Sequence, residues 1–225
     1  MKKAIVLLSG GMDSAVVVAV ALKDGYDVAA LHLNYGQRTQ SRELQAFYDL
    51  CEYYSIQEKL IVDIEYLNQI GGTSLIDTSI PIPKNAVENT RIPNTYVPFR
   101  NGNILAIAVS WAEVIGADAI YIGANTIDSS GYPDTSKEFL ETFELAANLG
   151  TKFGIAGSSK LKIKAPLIDL SKKDIVLTGK ELNVPFELTW SCYEDNEIAC
   201  GECDSCLLRL RGFQEAGAID PIPYR

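Results

Sequence analysis

"VLLSGGMDSAVVV" occupies residues 6–18. An apolar run meets Ser9-Gly10-Gly11, then the acid Asp13, and then turns apolar again. "KAIVLL" (3–8) reads as a strand buried on both faces, and residues 14–24 read as a helix closed by Gly25. A strand that passes through two glycines into a helix aims consecutive backbone N–H groups outward, with the helix dipole behind them. That arrangement is an anion cradle. Glycines let phosphate oxygens reach the backbone, and Ser9 and Ser14 add hydroxyl donors. The stretch lacks the lysine of the common nucleoside-triphosphate loop and the third glycine of the dinucleotide fingerprint. Two glycines alone would also suit a tight turn with no ligand.

Outward from this stretch, apolar runs alternate with helical patterns. Further strands are expected at 27–35, 59–64, 118–125 and 160–167. Helices are expected at 41–55, 102–115, 134–150 and 171–182, with a short one near the C-terminus. The helix at 134–150 carries a candidate capping box, Thr135 with Glu138. This alternation predicts an α/β fold: a Rossmann-like parallel sheet of about five strands with helices on both faces. Residues 65–101 are poorly periodic, with Gly71-Gly72 and four prolines, as in functional loops. Ligands in such sheets bind beyond the carboxyl ends of the strands, here Ser9, Asn34-Tyr35, Ile64-Glu65, Gly123–Asn125 and Pro166-Leu167.

A chain of 225 residues suits one domain, 1–225, with a specialised segment at 186–225. The formal net charge of −9 argues against a broad nucleic-acid face but leaves room for a small anionic ligand. "MKKAIVLLSGG" starts like a signal peptide, but its apolar run is short and ends in glycines and an acid. The longest later run, Ala15 to Leu22, is too short to span a bilayer. A cytoplasmic location is expected. Four of the five cysteines, Cys192, Cys200, Cys203 and Cys206, fall within fifteen residues at spacing C-x7-C-x2-C-x2-C. Four thiolates on a short loop can close a tetrahedral Zn²⁺ site, with Gly201 allowing the sharp turn. An iron–sulfur cluster also uses C-x2-C-x2-C. Cys51 lies on a helix's apolar stripe and reads as core. The lone histidine, His32, lies within a strand and reads as structural.

"SGGMDS" (9–14) matches the S-G-G-x-D-S signature of the PP-loop ATP pyrophosphatases. The resemblance implies an adenine nucleotide alpha hydrolase-like fold and release of AMP and pyrophosphate. Nucleotide contacts are then expected from Leu8, Ser9, Gly10, Gly11, Met12, Asp13, Ser14 and Arg38, with Asp13 on Mg²⁺. The whole chain resembles the 7-cyano-7-deazaguanine synthases, the queuosine-pathway members of that superfamily. The matching stretches are "YGQR" (35–38), "YVPFRN" (96–101), "DSSGYPD" (128–134), "PLIDLSKKDI" (166–175), "FELTWSCY" (186–193) and "CGECDSC" (200–206).

The resemblance implies conversion of 7-carboxy-7-deazaguanine, ammonia and ATP to the nitrile, through an adenylated carboxylate and an amide. Lys172 is the candidate cation for the pyrophosphate, with Lys173 its competitor. Arg100 and Asn101 open a helix and suit phosphate or the substrate carboxylate; a structural ion pair is the other reading of Arg100. Asp128 and Asp134 suit the donor-rich edge of a deazaguanine, and Tyr132 could stack on it. The resemblance also suggests a homodimer. With no spare histidine to pair with a cysteine, ammonia is expected from solution or another protein. The rival functions are a tRNA-thiolating enzyme with an iron–sulfur site, an idle nucleotide-binding module, and a paralogue acting on another deazapurine.

Overall fold

Alternation along the first strand decides the layering. Ala4, Val6 and Leu8 point to one side, and Ile5 and Leu7 to the other, as the two-residue period of a strand requires. In the computed structural model, which describes residues 2–84, 92–127, 131–155 and 159–225, β1 (Lys3–Leu7) lies at the middle of a five-stranded sheet. Its partners are β2 (Asp27–Asn34), β3 (Lys59–Asp63), β4 (Ala119–Tyr121) and β5 (Lys162–Lys164). The order is β3-β2-β1-β4-β5, and every pairing is parallel. Val6 pairs with Ala30 on one side and Tyr121 on the other.

The two faces carry separate cores. On one, α1 (Met12–Lys23), α2 (Gln40–Tyr53), α6 (Lys172–Glu181) and α7 (Asp204–Glu215) cover Val6 and Leu8 with Val16, Phe47, Ile175 and Phe213. On the other, α4 (Arg100–Ile115) and α5 (Lys137–Leu149) cover Ile5 and Leu7 with Leu105, Ala108 and Leu140. Strand order reverses between β1 and β4. The crevice of such a fold opens at this switch point, beyond the carboxyl ends of those two strands. Ser9 and Gly123 are therefore brought together.

The structure corrects several boundaries. β4 and β5 are three residues each, shorter than the runs at 118–125 and 160–167, because the chain leaves the ladder after Tyr121. α5 is capped by Ser136, whose hydroxyl oxygen accepts the Phe139 N–H at 3.1 Å, and not by Thr135 with Glu138. The Thr135 hydroxyl instead donates to the Tyr132 carbonyl at 2.8 Å, within a tight turn over Pro133–Thr135. A true capping box stands at the start of α6, between Ser171 and Asp174. The irregular stretch 65–101 includes a short helix, α3 (Tyr66–Ile70). No helix among the described residues is long and apolar enough to cross a membrane.

Cys51 is buried in the first core. His32 is buried against Phe47, and its Nδ1 lies 2.9 Å from the Leu8 carbonyl. Burial pushes the His32 pKa down, which favours the neutral ring.

Gly10 fixes the turn after β1. Its φ is +88°, and a Cβ there would lie 2.6 Å from the Glu43 carbonyl oxygen. Gly10→Ala is therefore expected to destabilise the protein by about 1–3 kcal/mol in urea unfolding. A midpoint equal to that of the parent would contradict this reading of the turn.

Candidate active site

The loop after β1 is tied together internally. The Ser14 hydroxyl donates to the Gly11 carbonyl at 2.9 Å, and the Ser9 and Ser14 hydroxyls lie 3.1 Å apart. The Gly11 N–H donates to Ser9 Oγ at 3.3 Å. Gly11 is the N-cap of α1 and supplies no side chain, so Asp13 sits in the first helical turn, at the dipole's positive end. Two remote segments close on this loop. The Trp190 N–H donates to the Gly10 carbonyl at 2.9 Å. Gly123, past the end of β4, lies so close that a Cβ would sit 3.4 Å from the Ser14 nitrogen.

Beyond the loop lies a cavity of about 310 Å³, in the size range of small-molecule sites. Leu8, Ser9, Gly11, Met12, Asp13 and Ser14 form its floor. Lys172, at the start of α6, donates to Asp13 Oδ2 at 2.5 Å. The other oxygen, Asp13 Oδ1, is buried with no hydrogen-bond partner among the described residues. A buried, unsatisfied carboxylate oxygen at an anion cradle suits a hard divalent cation such as Mg²⁺. Lys173 is exposed, whereas Lys172 lines the cavity.

Arg100, Asn101 and Tyr132 also line the cavity. Arg100 donates to the Tyr35 hydroxyl at 2.9 Å and lies over the Tyr35 ring. No carboxylate pairs with it among the described residues. Burial pushes the Tyr35 phenol up to about 12, with Arg100 opposing, so the hydroxyl stays neutral. The Tyr132 hydroxyl bonds Thr95 Oγ1 at 3.0 Å, and its ring lies against Tyr96.

Other expected residues are placed differently. Asp134 is buried, and both its oxygens accept from Asn101: the backbone N–H at 2.8 Å and Nδ2 at 3.1 Å. It holds the first turn of α4, and Asn101 with it, and does not line the cavity. Arg38 turns away from the cavity and donates to the carbonyls of Ser74, Asp77 and Ile80. It fixes the 73–80 loop. Gly10 lies behind the loop, against α2. Asp128 lies outside the described residues.

Sequence reasoning missed much of the wall. Tyr35, Glu43, Trp190, Ser191, Tyr193 and Ser205 all line the cavity. Tyr35 opens the "YGQR" stretch and ends the second expected strand, and Trp190 to Tyr193 lie within "FELTWSCY", so their positions were a signal without a role. Glu43 lies beyond any of the matching stretches.

The cysteine segment forms part of this wall. The Sγ atoms of Cys192, Cys200, Cys203 and Cys206 all lie within 4.8 Å of one another, and all four residues are buried. Backbone N–H groups of Glu194 and Cys200 donate to Cys192 Sγ, and those of Glu202 and Cys203 donate to Cys200 Sγ. Gly201, at φ +72°, makes the turn between ligand positions. The group could hold a metal ion. It packs on Ala46 of α2 and Ile82, so it braces the helix that carries Glu43. Arg209 anchors the segment, donating to Thr189 Oγ1, the Phe186 carbonyl and both oxygens of Asp220.

Sheet order, switch-point crevice and serine–glycine anion loop together define a nucleotide-binding α/β protein of the PP-loop class. A 4-thiouridine synthetase crystallised with RNA and ATP has the same fold, at TM-score 0.57 and 23% identity, covering 96% of this chain and 50% of that one. The profile described as "Queuosine biosynthesis protein QueC" matches residues 3–217, and the chain belongs to that family. The 7-cyano-7-deazaguanine synthase of Chloroherpeton thalassium is 51% identical over 99% of this chain and 97% of its own. That of Nautilia profundicola is 50% identical over 100% of this chain and 99% of its own.

Metal analysis of the purified protein should give about one ion per chain, bound by the four sulfurs. The double variant Cys203→Ser, Cys206→Ser should lose it and melt at lower temperature. Unchanged metal content and melting in that variant would contradict the assignment.

Proposed function

We propose that this chain is an ATP-dependent carbon–nitrogen ligase that converts 7-carboxy-7-deazaguanine and ammonia to 7-cyano-7-deazaguanine. The observation that carries the reading is one cavity lined by two unlike sets of residues. The anion loop with Asp13 and Lys172 shares it with Arg100, Asn101 and Tyr132. The names of the full-length relatives support the same reaction.

A carboxylate is a poor electrophile, so its oxygen must first gain a leaving group. The loop N–H groups, Ser9 and Ser14 bind the pyrophosphate end of ATP, which leaves the α-phosphorus open to the substrate. Lys172 moves from Asp13 to the phosphates and neutralises the departing pyrophosphate. Asp13 would hold Mg²⁺, which would offset phosphate charge. Arg100 receives the substrate carboxylate as a two-pronged donor, and Tyr132 stacks on the ring.

The carboxylate oxygen attacks the α-phosphorus, the bond to pyrophosphate breaks, and an acyl adenylate forms. Ammonia attacks its carbonyl carbon, and AMP leaves with the electron pair of the broken C–O bond. The resulting amide oxygen attacks the α-phosphorus of a second ATP, and pyrophosphate leaves. The nitrogen gives up both its protons as the C–O bond breaks, AMP departs with that electron pair, and the nitrile forms. Asp128 is assigned to the deazaguanine edge from its motif position alone.

The four-sulfur group holds Zn²⁺ in a structural role, since it leaves no open position for water. Colourless protein is expected; visible absorbance would favour an iron–sulfur cluster. The chain acts on small molecules in the cytoplasm, as a homodimer and with free ammonia.

Protein, ATP, Mg²⁺, ammonium and 7-carboxy-7-deazaguanine should yield the nitrile and AMP by mass spectrometry. Lys172→Met should lower kcat/KM about 100-fold, or ~2.7 kcal/mol of transition-state stabilisation. Formation of ADP in place of AMP would contradict the reading.

A further inference from the structure

Glu43 is the one cavity-lining side chain among the described residues whose negative charge is neither paired nor explained by the nucleotide. The cavity's other carboxylate, Asp13, belongs to the phosphate end. Glu43 is held by neutral donors only. Thr39 Oγ1 donates to Oε1 at 2.7 Å, and Gln37 Nε2 donates to Oε2 at 3.1 Å. Gln37 is itself fixed, since its Oε1 accepts the Tyr35 N–H at 3.0 Å. Thr39 and Gln37 are buried, so the carboxylate has little freedom to turn away. Each carboxylate oxygen can still accept a further hydrogen bond.

The position also matters. The Glu43 backbone packs directly on Gly10 of the anion loop. Its side chain lines the same cavity as Arg100 and Tyr35. The charged and titratable groups around it are Arg100 and Tyr35. Burial pushes the Glu43 pKa up, while the bonds from Thr39 and Gln37 and the charge of Arg100 oppose it. A carboxylate so placed gains from a small cation and can take a proton from it.

The reaction proposed above needs such a group. Near neutral pH ammonia is present mostly as ammonium, which has no lone pair with which to attack. We propose that Glu43 captures ammonium in the cavity and removes its proton, so that neutral ammonia attacks the acyl adenylate. This rests on the ligase reading. In balanced form, ammonium gives one proton to Glu43, and a C–N bond forms to give the tetrahedral adduct. The adduct loses a second proton from nitrogen as the C–O bond to AMP breaks with its electrons on AMP, and both protons pass to solvent.

The test compares two nucleophiles in the Glu43→Gln variant. Hydroxylamine is largely neutral near pH 7 and needs no prior deprotonation. Nitrogen incorporation from ammonium should fall about 100-fold, whereas hydroxamate formation from hydroxylamine should fall about tenfold less steeply. Raising the pH should recover part of the ammonium rate in the variant. Equal losses with both nucleophiles would overturn the proposal. So would a loss confined to a raised KM for 7-carboxy-7-deazaguanine, which would place Glu43 on the substrate ring. Thermal melting of the variant separates a folding defect from either result, and Glu43→Asp, which keeps the charge, should recover ammonium use preferentially. If the parent protein makes no amide or nitrile with any nucleophile, the ligase reading falls and this inference with it.

Discussion

The bend at Gly10 lets distant parts of the chain touch the same few backbone atoms. Its left-handed φ and missing side chain allow α2 to press the Glu43 carbonyl against the loop. Its own carbonyl takes the Trp190 N–H from the segment leading to the cysteines. Gly123 performs the same service from β4, meeting Asp13 and Ser14. A side chain at Gly10 would force the helix or the loop to move. The cavity floor, the carboxylate of Glu43 and the cysteine wall would then no longer share one geometry. A strained backbone position that organises several elements is expected where chemistry takes place.

The second organising feature is a charge pair between residues 159 positions apart in the chain. Asp13 lies in the first helix and Lys172 in the sixth, yet they meet at 2.5 Å. The pair keeps an acid stable inside a region built to attract anions. In the proposed reaction Lys172 would pass from Asp13 to the phosphates, which offer that ammonium more negative charge than one carboxylate does.

What the sequence made legible follows from how local each signal is. The anion loop and the cysteine cluster are short strings, with their chemistry inside one turn or one hairpin. Both were readable, as was the alternating order of strands and helices. The wall of the cavity was less so, because Tyr35, Glu43, Trp190 and Tyr193 meet only through tertiary packing. Arg38 illustrates the limit. A position past the end of β2 suggests the ligand, but the side chain finds three carbonyls of an irregular loop and turns to them. Asp134 illustrates another, since its carboxylate supports Asn101 from behind. The cap of α5 was misplaced by one residue for a simple reason. Thr135 and Ser136 are both capable caps, and only the preceding turn decides between them.

The central claim is that the loop grips pyrophosphate and exposes the α-phosphorus to a carboxylate oxygen. Transfer of that oxygen is the most direct measure. With 7-carboxy-7-deazaguanine labelled by oxygen-18 in its carboxylate, the account predicts label in AMP and none in pyrophosphate. Label in pyrophosphate, in inorganic phosphate or in water, with unlabelled AMP, would contradict it.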